Sequence, residues 1–501
     1  MYLIINLGLK SIRAIVIDEN ANQIYSMSRP VRTYIYKDFV EQDANEWQEL
    51  LYELLDELRL YTNVISKVQY VTVTTSSSCI LGLGEQNKPL TKVMMVSDKR
   101  AIPQLTYIRD LVEYKEINQP CSVSYALPKV LWHKDNSTNY SEISCWVNAG
   151  DYIVMLLTGK IFTDPFNASK FLYDDVKGYP QKLYDALSIP VSVLPKVEKI
   201  GYITELSYFA REKFGFSDNC LFVQSTYDAI CAVIGSGNGQ SGNACDVSGT
   251  VTSVRMLVDE RIVNDSRLLI HQKIDILNKY IVGASNNLGG GLIEWLKQAF
   301  YDEDDVDVYY KMEYDAIKAS LGASGIIFLP YLLGERAPFV SSTIRGEFIG
   351  IPRSAKRLDF TRAVFEASAY VTKDLLSMLN LYQPRTLSVS GGLARFDIIN
   401  QIKADVTNLP VYVVENFEST SVGALLICLL SLDKTVSYNE LCDKFVKIRK
   451  IINPNENNSS IYGNLYNFFV SYREQILSHY ELHANICRHL DGYKITKIQN
   501  L

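Results

Sequence analysis

Apolar residues cluster at the very start of the chain. Tyr2-Leu-Ile-Ile-Asn6 and Ile12-Arg-Ala-Ile-Val-Ile-Asp18 read as two strands joined by the short turn Leu7-Gly-Leu-Lys-Ser11, a hairpin. Asp43-Ala-Asn-Glu46 has capping-box spacing, and Trp47, Leu50, Leu51, Leu54, Leu55 and Leu58 follow at intervals of three and four. That pattern predicts an amphipathic helix with one buried face. The β-branched run from Val68 to Thr75 predicts another strand, so strands and helices alternate as α/β architecture requires. The opening is then echoed: Ala244-Cys-Asp-Val-Ser-Gly249-Thr250 leads into Val251-Thr-Ser-Val-Arg-Met-Leu-Val258, again two apolar strands around a Gly-containing turn. Further on, the pattern predicts a helix from about Phe360 to Leu381, a strand at Thr386-Leu-Ser-Val-Ser390, and helices to the end.

The echo suggests two related halves. Between them lies Gly235-Ser-Gly-Asn-Gly-Gln-Ser-Gly242, the most Gly/Ser-rich stretch, whose composition suits a hinge or surface loop. It divides the chain into domains of residues 1–240 and 241–501. A chain of 501 residues with 47% hydrophobic content can support two large cores. With 50 Lys+Arg against 56 Asp+Glu there is no basic footprint for nucleic acid. The strongest apolar runs fall far short of the roughly 20 residues a membrane-spanning helix needs. The start has no basic, signal-like segment, so the expected compartment is the cytoplasm. Nine cysteines without a C-x-x-C pair argue against both a disulfide framework and a zinc site. His479 and His483 have a metal-compatible i, i+4 spacing, but without a third ligand in view they read as a solvated helix face.

Phosphoryl transfer calls for backbone N–H groups in Gly-rich turns, hydroxyls or cations on phosphate oxygens, and a base near the acceptor hydroxyl. Four turns qualify: Gly8 with Lys10, Ser11 and Arg13; Gly249-Thr250; Gly289, Gly290 and Gly291; and Gly391-Gly392. No G-x-x-x-x-G-K-[ST] loop is present, and the one G-x-G-x-x-G match, Gly237 to Gly242, does not open a helix. This disfavours a P-loop or Rossmann site. Asp228 stands where strand and loop give way to a helix, placed either to accept a proton or hold a cation near the helix N-terminus, or to serve as an N-cap.

Gly346-Glu-Phe-Ile-Gly-Ile351, seven residues, and Asp359-Phe-Thr-Arg-Ala-Val-Phe-Glu366 together resemble a signature of the FGGY carbohydrate kinases. Val40-Glu-Gln-Asp43, Leu157-Thr-Gly159, Thr163-Asp-Pro-Phe-Asn-Ala-Ser169, Asp228-Ala, Ser248-Gly-Thr250, Leu329 to Pro338, Ser390-Gly-Gly392 and Gln401-Ile-Lys-Ala-Asp405 extend the resemblance over nearly the whole chain, in the family's order. It implies an α/β, two-domain actin-like ATPase (ribonuclease H-like) fold with an interdomain cleft, binding ATP and Mg2+ and a sugar, ketose, polyol or sugar acid. The resemblance makes Asp228 the general base and a metal contact. It brings Thr250 to the γ-phosphate, and it lines the adenosine pocket with Gly391 and Gly392. Phe396, where a small polar residue is usual, either stacks on adenine or fills core. Ser77, Ser78, Cys79, Asp98 and Arg100 align with sugar-binding segments. Glu335-Arg336 reads as a structural brace. The opening turn departs from the family pattern: Asn6 and Leu9 replace an acidic residue and a Thr, leaving Asn6 to reach magnesium only through water. Two functions follow, an active sugar kinase or a degenerate member with a regulatory or scaffolding role. The expected partner is a small sugar or polyol, with neither nucleic acid nor membrane, and with room for a homodimer.

Overall fold

The computed structural model describes the chain apart from residues 63, 118, 238–241, 250, 261, 263–269, 303, 416–418, 500 and 501. It has two compact units. The first comprises Met1–Gly235, Asp275–Leu277 and Thr420–Phe445; the second comprises Ser236–Ile274, Asn278–Ser419 and Val446–Leu501.

In the first unit the opening hairpin forms as its apolar pattern predicts, with Tyr2–Leu7 antiparallel to Ser11–Ile17 and Ile4 opposite Ile15. Tyr2–Leu7 also runs parallel to Tyr70–Thr75, Ile4 facing Thr72, which puts the hairpin's first strand in the middle of a sheet. Gln23–Pro30 extends the sheet beyond Ser11–Ile17. On the other side Leu221–Val223 lies parallel to Tyr70–Thr75, and Ile203–Glu205 closes the edge antiparallel. Five of the six residues of Tyr2–Leu7 are buried, the continuous burial expected of a strand covered on both faces. The helix Ala44–Glu57 starts as expected: Asp43 accepts the Asn45 N–H at 2.9 Å, and Trp47, Leu51, Leu54 and Leu55 are buried. Glu46 leaves the capping box incomplete and instead lies 3.7 Å from Arg32. A smaller five-stranded sheet, which includes Phe39–Gln42, Ile80–Leu83 and Cys145–Asn148, covers a second core around Ile80, Leu127 and Trp146.

The second unit repeats the plan. Asn243–Ser248 pairs antiparallel with Thr252–Val258 and parallel with Thr386–Gly391. Lys279–Ser285 takes the place of Gln23–Pro30, and Val411–Val414 that of Leu221–Val223. Ile448–Ile452 closes the edge antiparallel, as Ile203–Glu205 does in the first unit. Direction and order match over five neighbouring pairings, so the echo in the sequence is a duplication of sheet topology.

The long helix of this unit is Arg357–Ser377, starting three residues before the expected Phe360 because Asp359 reaches back to accept the Lys356 N–H at 2.9 Å. It ends short of Leu381, which lies in a separate 3-10 turn, Asn380–Tyr382. Glu366, 2% exposed, binds Arg362 at 2.8 Å and accepts from the Tyr462 hydroxyl at 2.8 Å. The acidic signature residues Asp359 and Glu366 are thus committed to scaffolding. No described helix is long and apolar enough to cross a membrane.

Candidate functional site

In the first unit the site grows from the C-terminal ends of two neighbouring parallel strands. Tyr70–Thr75 leads into Ser76, Ser77, Ser78 and Cys79, and Leu221–Val223 leads into Thr226, Tyr227 and Asp228. Because the strands are paired, the two loops leave the same edge of the sheet. Asp228 is the first residue of the helix Asp228–Ile234; Tyr227 occupies the N-cap position and makes no side-chain cap bond. The half-buried Asp228 carboxylate accepts the Ser76 hydroxyl at 3.0 Å. Between capping and chemistry, the geometry removes the N-cap position from Asp228. Thr226 donates to Asp164 at 2.8 Å, and Asp164 caps its own short helix through the Phe166 N–H at 3.0 Å. The Thr163–Ser169 motif is therefore tied to the loop that carries Asp228.

Ser78 adopts a left-handed conformation, φ 60°, and two backbone carbonyls here are held by one buried cation. Lys129 Nζ donates to Ser78 O at 2.7 Å and to Met95 O at 2.8 Å. Its side chain is fully buried, and burial pushes its pKa down to about 8. Lys129 thus joins the two segments that aligned with sugar-binding sequence. Neither Ser76 nor Lys129 was anticipated. The signal for Lys129 was a Lys set among Leu127, Val130 and Leu131, on the buried part of its helix.

Three residues expected to bind substrate are committed elsewhere. Cys79 is 1% exposed in the hydrophobic core, and burial pushes its thiol up to about 11. Asp98, 1% exposed, accepts from the Val40 N–H at 2.8 Å and from Arg100 Nε at 3.0 Å. Arg100 adds a bond to Glu41 at 2.6 Å and stacks 3.7 Å from the Phe39 ring centre. Those partners saturate the pair as a buried strut under the smaller sheet. Of the aligned segment, Ser77 retains partial exposure.

The Gly8 turn also belongs to this unit. Gly8 N–H donates to Ser11 O at 3.0 Å, Arg13 Nε donates to Ser11 Oγ at 3.3 Å, and Lys10 is exposed. Asn6, 8% exposed, donates its amide to Ser421 Oγ at 3.4 Å.

The second unit brings the other three glycine turns together. Gly290 N–H donates to Gly249 O at 2.6 Å. A Cβ on Gly290 would sit 2.6 Å from that same oxygen, one on Gly289 2.5 Å from the Val251 carbonyl carbon, and one on Gly391 2.6 Å from Ser248 O. Gly391 also has φ 86°. Three backbone segments therefore touch without side chains between them, at the start of the helix Gly290–Phe300, which includes Gly291. Gly392 follows at the same edge, where a Cβ would stay 3.9 Å from Ser248 O. Thr250 lies outside the described residues. Below the turn, Asp246 accepts from Lys403 at 2.5 Å, Ser248 at 2.5 Å and Thr372 at 2.7 Å. Glu335 accepts the Asn287 N–H at 3.0 Å, and Arg336 donates to Ser285 O and Asn286 O, both at 2.9 Å. This pair braces the loop before Gly289 within its own unit. Phe396, 8% exposed, packs edge-on against Phe365 in the core, which supports the core-filling role over adenine stacking.

A turn cluster free of Cβ atoms beside a helix start fits a nucleotide's phosphates, since a polyphosphate requires close approach to backbone. Among the described residues no group of three or more His, Cys, Asp or Glu could hold a metal. His479 and His483 are exposed on the C-terminal helix, while the side chain of His489 lies outside the described residues.

A duplicated ribonuclease H-like sheet with a Gly-containing hairpin turn on both copies defines a two-domain actin-like fold of the phosphotransferase kind. The chain belongs to the FGGY family of carbohydrate kinases: the family's N-terminal domain matches residues 1–235 and its C-terminal domain residues 248–432. The family's kinases are phosphotransferases with an alcohol group as acceptor, and its cofactors are ATP and Mg2+. The xylulose kinase of Staphylococcus epidermidis is 25% identical over 479 residues, covering 94% of this chain and 96% of that one. A ligand-bound xylulose kinase structure from Lactobacillus acidophilus shares the fold with a TM-score of 0.86 at 22% identity, over 96% of this chain and 100% of that one. Plasmodium falciparum glycerol kinase with ADP shares it at 0.81 and 19% identity, over 94% and 98%.

Proposed function

We propose that the protein transfers the γ-phosphoryl group of MgATP to a hydroxyl of a small sugar, ketose, polyol or sugar acid in the cytoplasm, with Asp228 as general base. The observation that carries this reading is the Asp228 environment: a half-buried carboxylate, outside the N-cap position, with Ser76 fixing one oxygen at 3.0 Å. A carboxylate held in this way is oriented to take a proton from an acceptor hydroxyl as it attacks. Ser77, half-buried beside it, offers a hydroxyl for positioning the acceptor. In the second unit the Gly249, Gly289–Gly290 and Gly391 backbones would receive the phosphates, with Thr250 near the γ-phosphate. When bound, Mg2+ supplies charge neutralisation on the phosphate oxygens. Asp228 and Asn6 would face its water shell, Asn6 without adding charge.

The second reading is a degenerate member that binds nucleotide or sugar as a regulatory or scaffolding protein; Asn6 and Leu9 in the first phosphate turn favour it. ADP release with Mg2+ and ATP, measured against ketoses, polyols and sugar acids, separates the two. Sugar-dependent release establishes the kinase. Intact ATP binding with no release across the panel establishes the degenerate member.

A further inference from the structure

Two residues before Asp228, Thr226 helps line a cavity inside the first unit with room for a single water-sized occupant. Asp151, Asp164, Asn167, Gln224 and Gly150 form much of the remaining wall. Val73, Val154, Thr75 and Ser225 complete it, and three of its oxygens are acceptors without a donor. Asp151 Oδ1, Asn167 Oδ1 and Gln224 Oε1 are buried with no hydrogen-bond partner, on side chains 1%, 3% and 5% exposed. Of the donors nearby, the Thr163 hydroxyl has no other partner and lies within reach of Asp151, and the rest are already used. Asn167 gives its amide to Asp164 Oδ2 at 2.7 Å, Thr226 gives its hydroxyl to Asp164 Oδ1, and the Asn148 N–H and amide both go to Asp151 Oδ2, at 2.8 and 3.2 Å. Every one of these donors is uncharged. Two buried carboxylates therefore share a small space, and among the described residues neither is hydrogen-bonded by Lys or Arg.

We propose that this cavity is a site for one dehydrated monovalent cation of water size, K+, held by the free oxygens of Asp151, Asn167 and Gln224 beside Asp164. A water brings no charge to a wall that holds two carboxylates, so it compensates the wall less completely than a cation does. Mg2+ is a poor candidate because it gives up its water shell reluctantly and the space holds one occupant. K+ has nearly the radius of water and accepts carbonyl, amide and carboxylate oxygens together. The carboxyl of Asp151 is pushed up to about 7, chiefly by burial, with Asp164 adding to the shift and the nearby Thr163 hydroxyl opposing it. A positive charge at this point opposes that shift. Gly150 keeps the space open, since a Cβ there would stand 3.2 Å from Thr75 Oγ1. Thr75 precedes Ser76 and Thr226 lies two residues from Asp228, so the occupant would steady both partners of the Ser76–Asp228 bond.

The test uses the full chain at about pH 8, where Asp151 is ionised. Thermal unfolding is followed in KCl, NaCl and choline chloride at one ionic strength, and crystals are grown with Tl+ replacing K+. A Tm that rises and saturates with K+ but not with choline is expected, since a ligand bound only by the folded state stabilises it in proportion to its saturation. A thallium anomalous peak is expected inside the cavity. Asp151→Asn should lose the K+-specific shift while keeping its Tm in choline, and Gly150→Ala should raise the K+ concentration for half-saturation several-fold. Equal Tm values in the three salts with no thallium peak would mean water alone, and the proposal falls. A K+ shift that survives Asp151→Asn also overturns it. Both wild-type measurements stand without any variant and read binding rather than turnover, so they are separate from the outcome of the kinase assay.

Discussion

Lys403 and Asp246 offer the sharpest test of how the second unit holds its Gly249 turn. Their side chains are 1% and 0% exposed, and Nζ lies 2.5 Å from Oδ2. Lys403→Met keeps most of the stem's volume but removes the charge, leaving Asp246 buried with only the Ser248 and Thr372 hydroxyls. Breaking a buried pair by removing one partner costs about 3–5 kcal/mol, because the surviving charge is uncompensated. With every 1.4 kcal/mol worth a factor of ten, hydrogen exchange through opening of the unit should accelerate roughly a hundred- to a few thousand-fold. The assay is exchange measured by mass spectrometry on strands Asn243–Ser248 and Thr252–Val258, with the hairpin Tyr2–Ile17 of the other unit as internal control. Asp246→Asn should cost a similar amount by stranding Lys403. The double variant, with both charges gone and the introduced amide still able to bond Thr372 and Ser248, should cost less than either single one. Since Ser248 adjoins Gly249, the single variants should also raise the KM for ATP. A Lys403→Met effect below about 1 kcal/mol, a double variant worse than both singles, or equal loss of protection in the control hairpin would each refute the reasoning.

If Asp228 is the base as proposed, Asp228→Asn should lower kcat by roughly 10²–10⁴-fold with an unchanged Tm, since Tyr227 and not Asp228 holds the N-cap position; wild-type turnover in a folded variant would remove that role. Lys129→Met should raise the KM for sugar more than that for ATP, since the Ser78 and Met95 carbonyls lose their common donor; equal changes in both would show a general loss of stability. The Lys129 pKa is lower folded than unfolded, so the unfolded chain binds more protons between about 8 and the ordinary lysine value. Wild-type stability should therefore rise relative to Lys129→Met as pH climbs through that window, as denaturant midpoints would record. Asn6→Asp should lower the Mg2+ concentration for half-maximal rate, with Ser421 turning its hydroxyl to donate to the new carboxylate; an unaltered Mg2+ dependence would take Asn6 out of the metal's surroundings.

The elements that local pattern could reach were those whose burial is one-dimensional. The hairpins at Tyr2 and Asn243 read directly because an apolar strand beside a short Gly turn has few alternatives, and the helix after Asp43 read because one stripe of Trp and Leu faces core. Boundaries moved where a side chain reached back along the chain, as Asp359 does to Lys356. The return of Thr420–Phe445 to the first unit was not legible. Its apolar run announces a buried helix but not which core buries it. The deciding contact is Gly423, where a Cβ would collide with Cys231 O at 1.7 Å, so the helix lies directly on the backbone of the helix that begins at Asp228.

The same distinction explains the site. Asp228 and the glycine turns stood out because their chemistry is unusual for their local setting, a carboxylate at a helix start and Gly at strand ends. Which glycines converge depends on parallel pairing between strands more than a hundred residues apart, Ser248 beside Gly391, and nothing local encodes that register. Aligned position misled in the opposite direction for Cys79, Asp98 and Arg100. A segment can keep its place in the fold while its side chains are reassigned: once Arg100 stacks on Phe39 and shares Asp98 with the Val40 N–H, the pair is stabilised by what it covers, and under the proposed function substrate contact would pass to the residues left exposed beside it. Ser77, with Ser76 fixed on Asp228, is the group so placed. The sugar this protein accepts should therefore depend more on Ser77 than on Cys79. Substrate ranking for Ser77→Ala beside that for Cys79→Ser decides it: the first should reorder the panel, the second should leave the order intact, and the reverse result would return Cys79 to the pocket.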